Sequence, residues 1–148
     1  MAGESLLDWP LSRLHFGEGA ELPRLAHALE RLHVPWSELQ KYVRFDPTRY
    51  ARNLIYRDRT HELLLLCWLP GQATAVHDHP GSCGVVRPLV GTLEEVVYDA
   101  LATRRPIGRR ALALDRVAVE LPATVHQVAN AGSRPALSLH LYSPPLTT

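Results

Sequence analysis

The sequence predicts an all-β core with two helices packed on its outside. After Tyr50, short runs rich in Val, Leu, Thr and Tyr alternate with turn residues at the spacing of a sandwich or barrel. Helical periodicity, by contrast, is confined to the stretch before Asp46. No internal repeat, low-complexity tract or linker divides the 148 residues, a length that suits one domain. The expected organisation is therefore one domain over 1–148, with a helical segment at 1–48 and a β-barrel at 49–148.

Ser5 to Gly19 carries Pro10 and two glycines and reads as irregular. Leu22, Leu25, Ala26, Leu29 and Leu32 then recur at helical spacing, which predicts an amphipathic helix. Pro35 is placed at the first position of a shorter helix, with Trp36, Leu39, Tyr42 and Val43 on one stripe and Asp46-Pro47 as its end. The expected strands are Asn53–Tyr56, Leu63–Leu69, Thr74–His77, Val85–Val90, Leu93–Tyr98, Ala111–Leu114, Val117–Leu121, Val125–Val128 and Ala136–Tyr142.

Composition excludes several classes. Sixteen basic against fifteen acidic residues leave a charge of +1, without the basic excess that neutralises phosphates or an anionic membrane. The longest apolar run, Leu63 to Leu69, falls far short of the roughly 20 residues a spanning helix needs, and no basic region precedes an apolar stretch at the N-terminus. A soluble, cytoplasmic chain with no nucleic-acid or membrane partner is expected. Cys67 and Cys83 lack CxxC spacing and are expected as reduced thiols.

Chemistry begins at Gly71, in GQATAVHDHPGSCGVVRPLVG. His77 and His79 are separated by one residue, so on a strand both imidazoles leave the same face and reach one ion with bonds of roughly 2 Å. His126 ends an apolar strand in PATVHQVAN. Taken singly, an HxH pair reads also as turn or surface histidines, and His126 as a structural one.

The framing of these histidines resembles the cupin superfamily. Gly71, His77, His79 and Gly91 keep the spacing of its first motif; Pro122, His126 and Asn130 approximate the second, with the proline one residue closer than usual. Gly84 stands where that motif carries a glutamate ligand. The resemblance thus implies a cupin fold, a double-stranded β-helix or jelly-roll barrel, with three neutral histidine ligands and no carboxylate. On an octahedral ion, three such ligands leave about three positions open.

Three further stretches, YARNL (Tyr50–Leu54), HELLLLCW leading into HDH, and SLHLYSPP (Ser138–Pro145), narrow the resemblance to the cysteine dioxygenases. It runs from about Tyr50 to Pro145. Ser138, His140 and Tyr142 lie at i, i+2 and i+4 and share one strand face. By this resemblance His77, His79 and His126 hold one Fe(II) per chain, Arg52 binds the substrate carboxylate, and Tyr50 lies near that end of the pocket. Tyr142 points its phenol at the iron site, and Ser138 and His140 orient it through a hydrogen-bonded relay. Ser143-Pro144 matches a cis corner. Trp68 and Cys67 read as strand core.

Eukaryotic members link a cysteine to the tyrosine, at a position that here is Gly84. Cys83 is one residue too early, which turns its side chain to the opposite face, so an uncrosslinked Tyr142 is expected, as in bacterial-type members. The implied activity is oxidation of L-cysteine by O2 to cysteine sulfinic acid in a monomeric enzyme. Its alternatives are another small thiol such as 3-mercaptopropionate, a different metal-dependent cupin enzyme, and a non-catalytic ligand-binding cupin. Imidazoles alone favour Zn, Cu or Ni over Fe(II), so the choice of iron rests on the resemblance.

Overall fold

Leu25 and Leu29 stand one turn apart and are both fully buried, which fixes the inward face of helix α1 (Leu22–Arg31). In the computed structural model, which describes residues 22–146, this helix is followed by a single α-turn, α2 (Trp36–Leu39), and a 3-10 turn over Gln40–Tyr42. The expected position of Pro35 shifts by one. It is the N-cap, with ψ at 132°, and its carbonyl accepts from the Glu38 and Leu39 amides. Leu39 is the anchor of the expected stripe, whereas Trp36 is 57% exposed. The reading of Ser5 to Gly19 as irregular lies outside the described residues.

Eight strands follow: β1 (Ala51–Arg57), β2 (Glu62–Trp68), β3 (Cys83–Val90), β4 (Leu93–Tyr98), β5 (Pro106–Leu112), β6 (Ala118–Glu120), β7 (Val125–Asn130) and β8 (Ala136–Ser143). They form a five-stranded sheet ordered β1-β2-β8-β3-β6 and a three-stranded sheet ordered β5-β4-β7, with every pairing antiparallel. The two sheets make the expected all-β core without closing into a continuous barrel.

Alternation along the central strands builds two cores. Leu63, Leu65 and Cys67 of β2 and Leu137, Leu139 and Leu141 of β8 face α1 and join Leu25 and Leu29. Leu64, Leu66 and Trp68 face the other sheet and meet Leu93, Leu112 and Val128. Each leucine so buried contributes roughly 1.5 to 3 kcal/mol. The side chains of Ser138, His140 and Tyr142 occupy this second face, between the sheets. Register then lines up Glu62, Tyr142, Gly84 and Glu120 in one row across four strands.

Two strand expectations change. Thr74–His77 is not a strand: it makes isolated bridges from Ala73 to Ala129 and from His77 to His126, because it enters the site as a loop laid along β7. The expected Ala111–Leu114 begins at Pro106 instead, since β5 is almost wholly exposed and its Arg-rich residues give no apolar alternation. The Ser143–Pro144 bond is cis. Among the described residues no helix is long and apolar enough to cross a membrane.

Candidate metal centre

His77 and His79 reach the site from the loop after β2, and His126 from β7. The loop is pinned there by backbone bonds from His77 N to His126 O (3.0 Å), His126 N to His77 O (2.9 Å) and His79 N to Pro122 O (3.1 Å). One nitrogen of each imidazole lies within 4.8 Å of the other two. The Nε2 atoms of His79 and His126 are 3.1 Å apart.

Hydrogen bonds on the far side of two rings fix which nitrogen faces inward. His77 Nδ1 donates to the Ala75 carbonyl at 2.7 Å, and His126 Nδ1 to Glu95 Oε2 at 2.9 Å. Both Nε2 atoms therefore present lone pairs to the centre, the orientation that neutral imidazole ligands require. Glu95 is itself held by Arg110 Nε at 2.7 Å on its other oxygen. Burial and the neighbouring imidazoles push His77 below its usual value, with the Ala75 contact opposing. On His126, burial opposes charge, but the Glu95 hydrogen bond and the two carboxylates raise it. Converging lone pairs at 3.1 Å repel unless a cation or a shared proton lies between them, so the donor set fits a divalent ion.

A carboxylate that the sequence reading did not anticipate lies beside this triad. Glu120 is 3% exposed, and its Oε2 stands 3.2 Å from His79 Nε2 and 3.8 Å from His126 Nε2. Burial opposes its charge, yet the surrounding His79, His126 and His140 hold its carboxyl down at about 2. Directly opposite on β3 is Gly84, where an added Cβ would come within 2.5 Å of the Tyr142 ring and 3.4 Å of Glu120 Oε2. Gly84 thus leaves space for both groups.

On β8 the relay has a definite direction. Trp68 Nε1 can only donate, and does so to Ser138 Oγ at 3.0 Å. Ser138 Oγ lies 2.7 Å from His140 Nε2, and His140 Nδ1 lies 3.2 Å from Tyr142 Oη. With the Ser138 hydroxyl donating to a bare His140 Nε2, the neutral imidazole carries its proton on Nδ1 and donates it to the phenol oxygen. The Tyr142 hydroxyl hydrogen is then left for the cavity. Burial drives His140 down to about 4, so it is neutral near pH 7, and burial pushes the Tyr142 phenol well above its usual value. Trp68 is therefore more than strand core; it also stacks on Tyr50 at 4.8 Å.

These groups share one cavity of about 380 Å³, lined by Tyr50, Arg52, His77, His79, His126, His140 and Tyr142. Ser138 sits behind it, wholly buried. Among the described residues none accepts a hydrogen bond from the Arg52 guanidinium, whose charge acts on both His140 and Tyr142. Cys83 pairs opposite Ser143 and packs on the α1 side, away from Tyr142, as the one-residue offset predicts.

Sequence reasoning missed Glu95, Glu120 and the Trp68 donor. Glu120 was hidden by inverted alternation: Val119 (44%) and Leu121 (54%) are the exposed residues, and the acid between them is buried. A lone acid two residues before the Pro122 of the second motif was the available signal.

The model of the family described as cysteine dioxygenase type I matches residues 19–148. Cysteine dioxygenase type 1 of Danio rerio is 34% identical over 143 residues, covering 91% of this chain and 71% of the relative. That of Rattus norvegicus is 30% identical over 149 residues, covering 93% and 72%. Among solved structures, a Thermus thermophilus protein superposes with a TM-score of 0.64 at 26% identity, covering 77% of this chain and 99% of that one. A Klebsiella pneumoniae protein with a double-stranded β-helix domain matches at 0.63 and 20% identity, covering 77% and 84%, and speaks for the fold alone. The converging histidines, the ordered Ser-His-Tyr face and a match spanning nearly all of the sequence lead to one assignment: the chain belongs to the cysteine dioxygenase type I family.

Proposed function

We propose that this thiol dioxygenase converts L-cysteine and O2 to cysteine sulfinic acid at Fe(II) held by His77, His79 and His126. The observation that carries the choice of substrate is the Arg52 guanidinium, which has no hydrogen-bond acceptor among the described residues, in the cavity that holds the three imidazoles. An ion held by these three imidazoles would supply Lewis acidity that favours the thiolate form of the substrate and a centre for dioxygen chemistry.

The chain's own residues do the rest. Arg52 takes the carboxylate in a charge-assisted pair and so sets the distance from carboxylate to sulfur that the cavity accepts. Tyr50, held flat against Trp68, forms the wall on that side. Tyr142 keeps its proton because of its burial, and the Trp68-Ser138-His140 chain aims that proton into the cavity. The phenol is thus a donor to oxygen or substrate, placed before either arrives.

The test is NMR of 13C-labelled L-cysteine incubated aerobically with Fe(II)-loaded protein, beside a 3-mercaptopropionate tube and a His126→Ala control. Cysteine sulfinate formed only by the intact protein supports the reading. Disulfide alone in every tube refutes it, and sulfinate from 3-mercaptopropionate alone moves the substrate to that thiol.

A further inference from the structure

The Glu120 carboxylate is costly as it stands. Oε2 is buried and accepts no hydrogen bond among the described residues. A buried carboxylate oxygen without a partner is strongly disfavoured when ionised, so it implies a cation or a donor that completes it. Among the neighbouring side chains only a protonated His79 Nε2 could supply that donor. His126 has its proton on Nδ1, committed to Glu95, and presents a bare Nε2. His79 Nε2 is 3.2 Å away but, once it serves as a ligand, has no hydrogen to give.

Geometry points the same way. Atoms bound to one ion at roughly 2.1 Å lie about 3 to 3.5 Å apart when neighbouring. His79 Nε2 and His126 Nε2 are separated by 3.1 Å, and Glu120 Oε2 is 3.2 Å from the first and 3.8 Å from the second. Glu120 groups with His126 and Glu95 rather than with His77, so its carboxylate must swing further toward the triad. The side-chain torsions of a glutamate allow that swing, and the absent Cβ of Gly84 leaves room beside it.

We propose that Glu120 is a fourth protein ligand of the ion held by His77, His79 and His126, bound through Oε2 in the substrate-free protein. This rests on the reading of the triad as a metal site. The carboxylate enters from β6, opposite the glycine of β3, lowers the net charge of a divalent site from +2 to +1, and leaves two open positions on a six-coordinate ion.

The experiment is anaerobic titration of substrate-free, metal-free protein with Co(II), read by its visible absorption bands and by competition with a chelator. It compares intact protein with Glu120→Gln, Glu120→Asp and His126→Ala. Glu120→Gln is expected to weaken Co(II) binding at least tenfold and to change the band pattern, while the metal-free variant melts no lower than the parent, since a buried amide is less costly than an unpaired carboxylate. Glu120→Asp, which keeps the charge but shortens the reach, is expected to fall between the two and gives a reading independent of how the amide variant folds. Parental affinity and bands in both Glu120 variants, with binding lost in His126→Ala, overturn the fourth ligand and leave the triad standing. A lower melting point for metal-free Glu120→Gln with an undiminished metal response likewise makes the carboxylate structural only. No Co(II) binding by the intact protein overturns triad and fourth ligand together.

Discussion

At the scale of single residues, specificity turns on Arg52. A charge-assisted hydrogen bond to a carboxylate contributes on the order of 1.5 to 3 kcal/mol, about 10- to 150-fold. Arg52→Gln is therefore expected to raise KM for L-cysteine at least tenfold in steady-state kinetics; an unchanged KM would remove Arg52 from the carboxylate site. Gly84 makes a different demand. A methyl group there would meet the buried Tyr142 ring at 2.5 Å. Gly84→Ala should cost about 1 to 3 kcal/mol in urea unfolding through overpacking, with kcat falling as the phenol is displaced, and full stability in that variant would show that the ring moves freely. Much of the site is legible at this scale. His77 and His79 share a side through i, i+2 spacing, and Ser138, His140 and Tyr142 are readable because alternation on β8 is regular. Glu95 and Glu120 are not, because a buried acid is identified by what it touches across strands, and the one local hint is the lone acid ahead of Pro122.

At the scale of elements, α1 is docked by charge as well as by leucines. Arg87 of β3 donates from one guanidinium nitrogen to the Leu29 and Leu32 carbonyls, at 3.2 and 2.9 Å, at the C-terminal end of the helix. Arg87→Ala should lower unfolding free energy by about 2 kcal/mol or more, given two bonds to a charged donor, and Arg87→Lys should recover part of it; a change within about 0.5 kcal/mol, the range of ordinary surface substitutions, would show the tether idle. The elements most clearly written in the sequence are those with one buried stripe, such as α1, or two, such as β2 and β8. β5 escaped because six of its seven residues face solvent, leaving no periodic signal. The Thr74–His77 segment was misread because its composition suits a strand while its backbone pairs at only isolated points.

At the scale of the whole molecule, the buried imidazole of β8 ties stability to pH. His140 has its folded pKa depressed to about 4, against an unfolded value of about 6.5. Below about pH 6.5 the unfolded chain takes up a proton that the folded chain refuses until about pH 4, so this stabilisation is complete above the window and lost on descending through it. The loss attributable to His140 is on the order of 3 kcal/mol. Urea unfolding of the metal-free protein between about pH 7 and 4 should thus show a steeper decline than His140→Gln; parallel curves would place the titration elsewhere. His126, whose raised value acts with the opposite sign, is common to both proteins, and its charge is one of the causes that hold His140 down.

The central position of β8 has a kinetic consequence. The strand is paired along both edges, by β2 and β3, and all eight of its residues are buried. Its amide hydrogens should exchange with deuterium only through global unfolding, whereas those of the 71–82 loop should exchange through local opening. Tyr142 and its relay are then expected to persist as long as the folded state does, while His77 and His79 belong to a segment joined to β7 only at isolated bridges. Metal entry and loss would proceed through that local opening, with the aimed phenol still in place when the ion comes back.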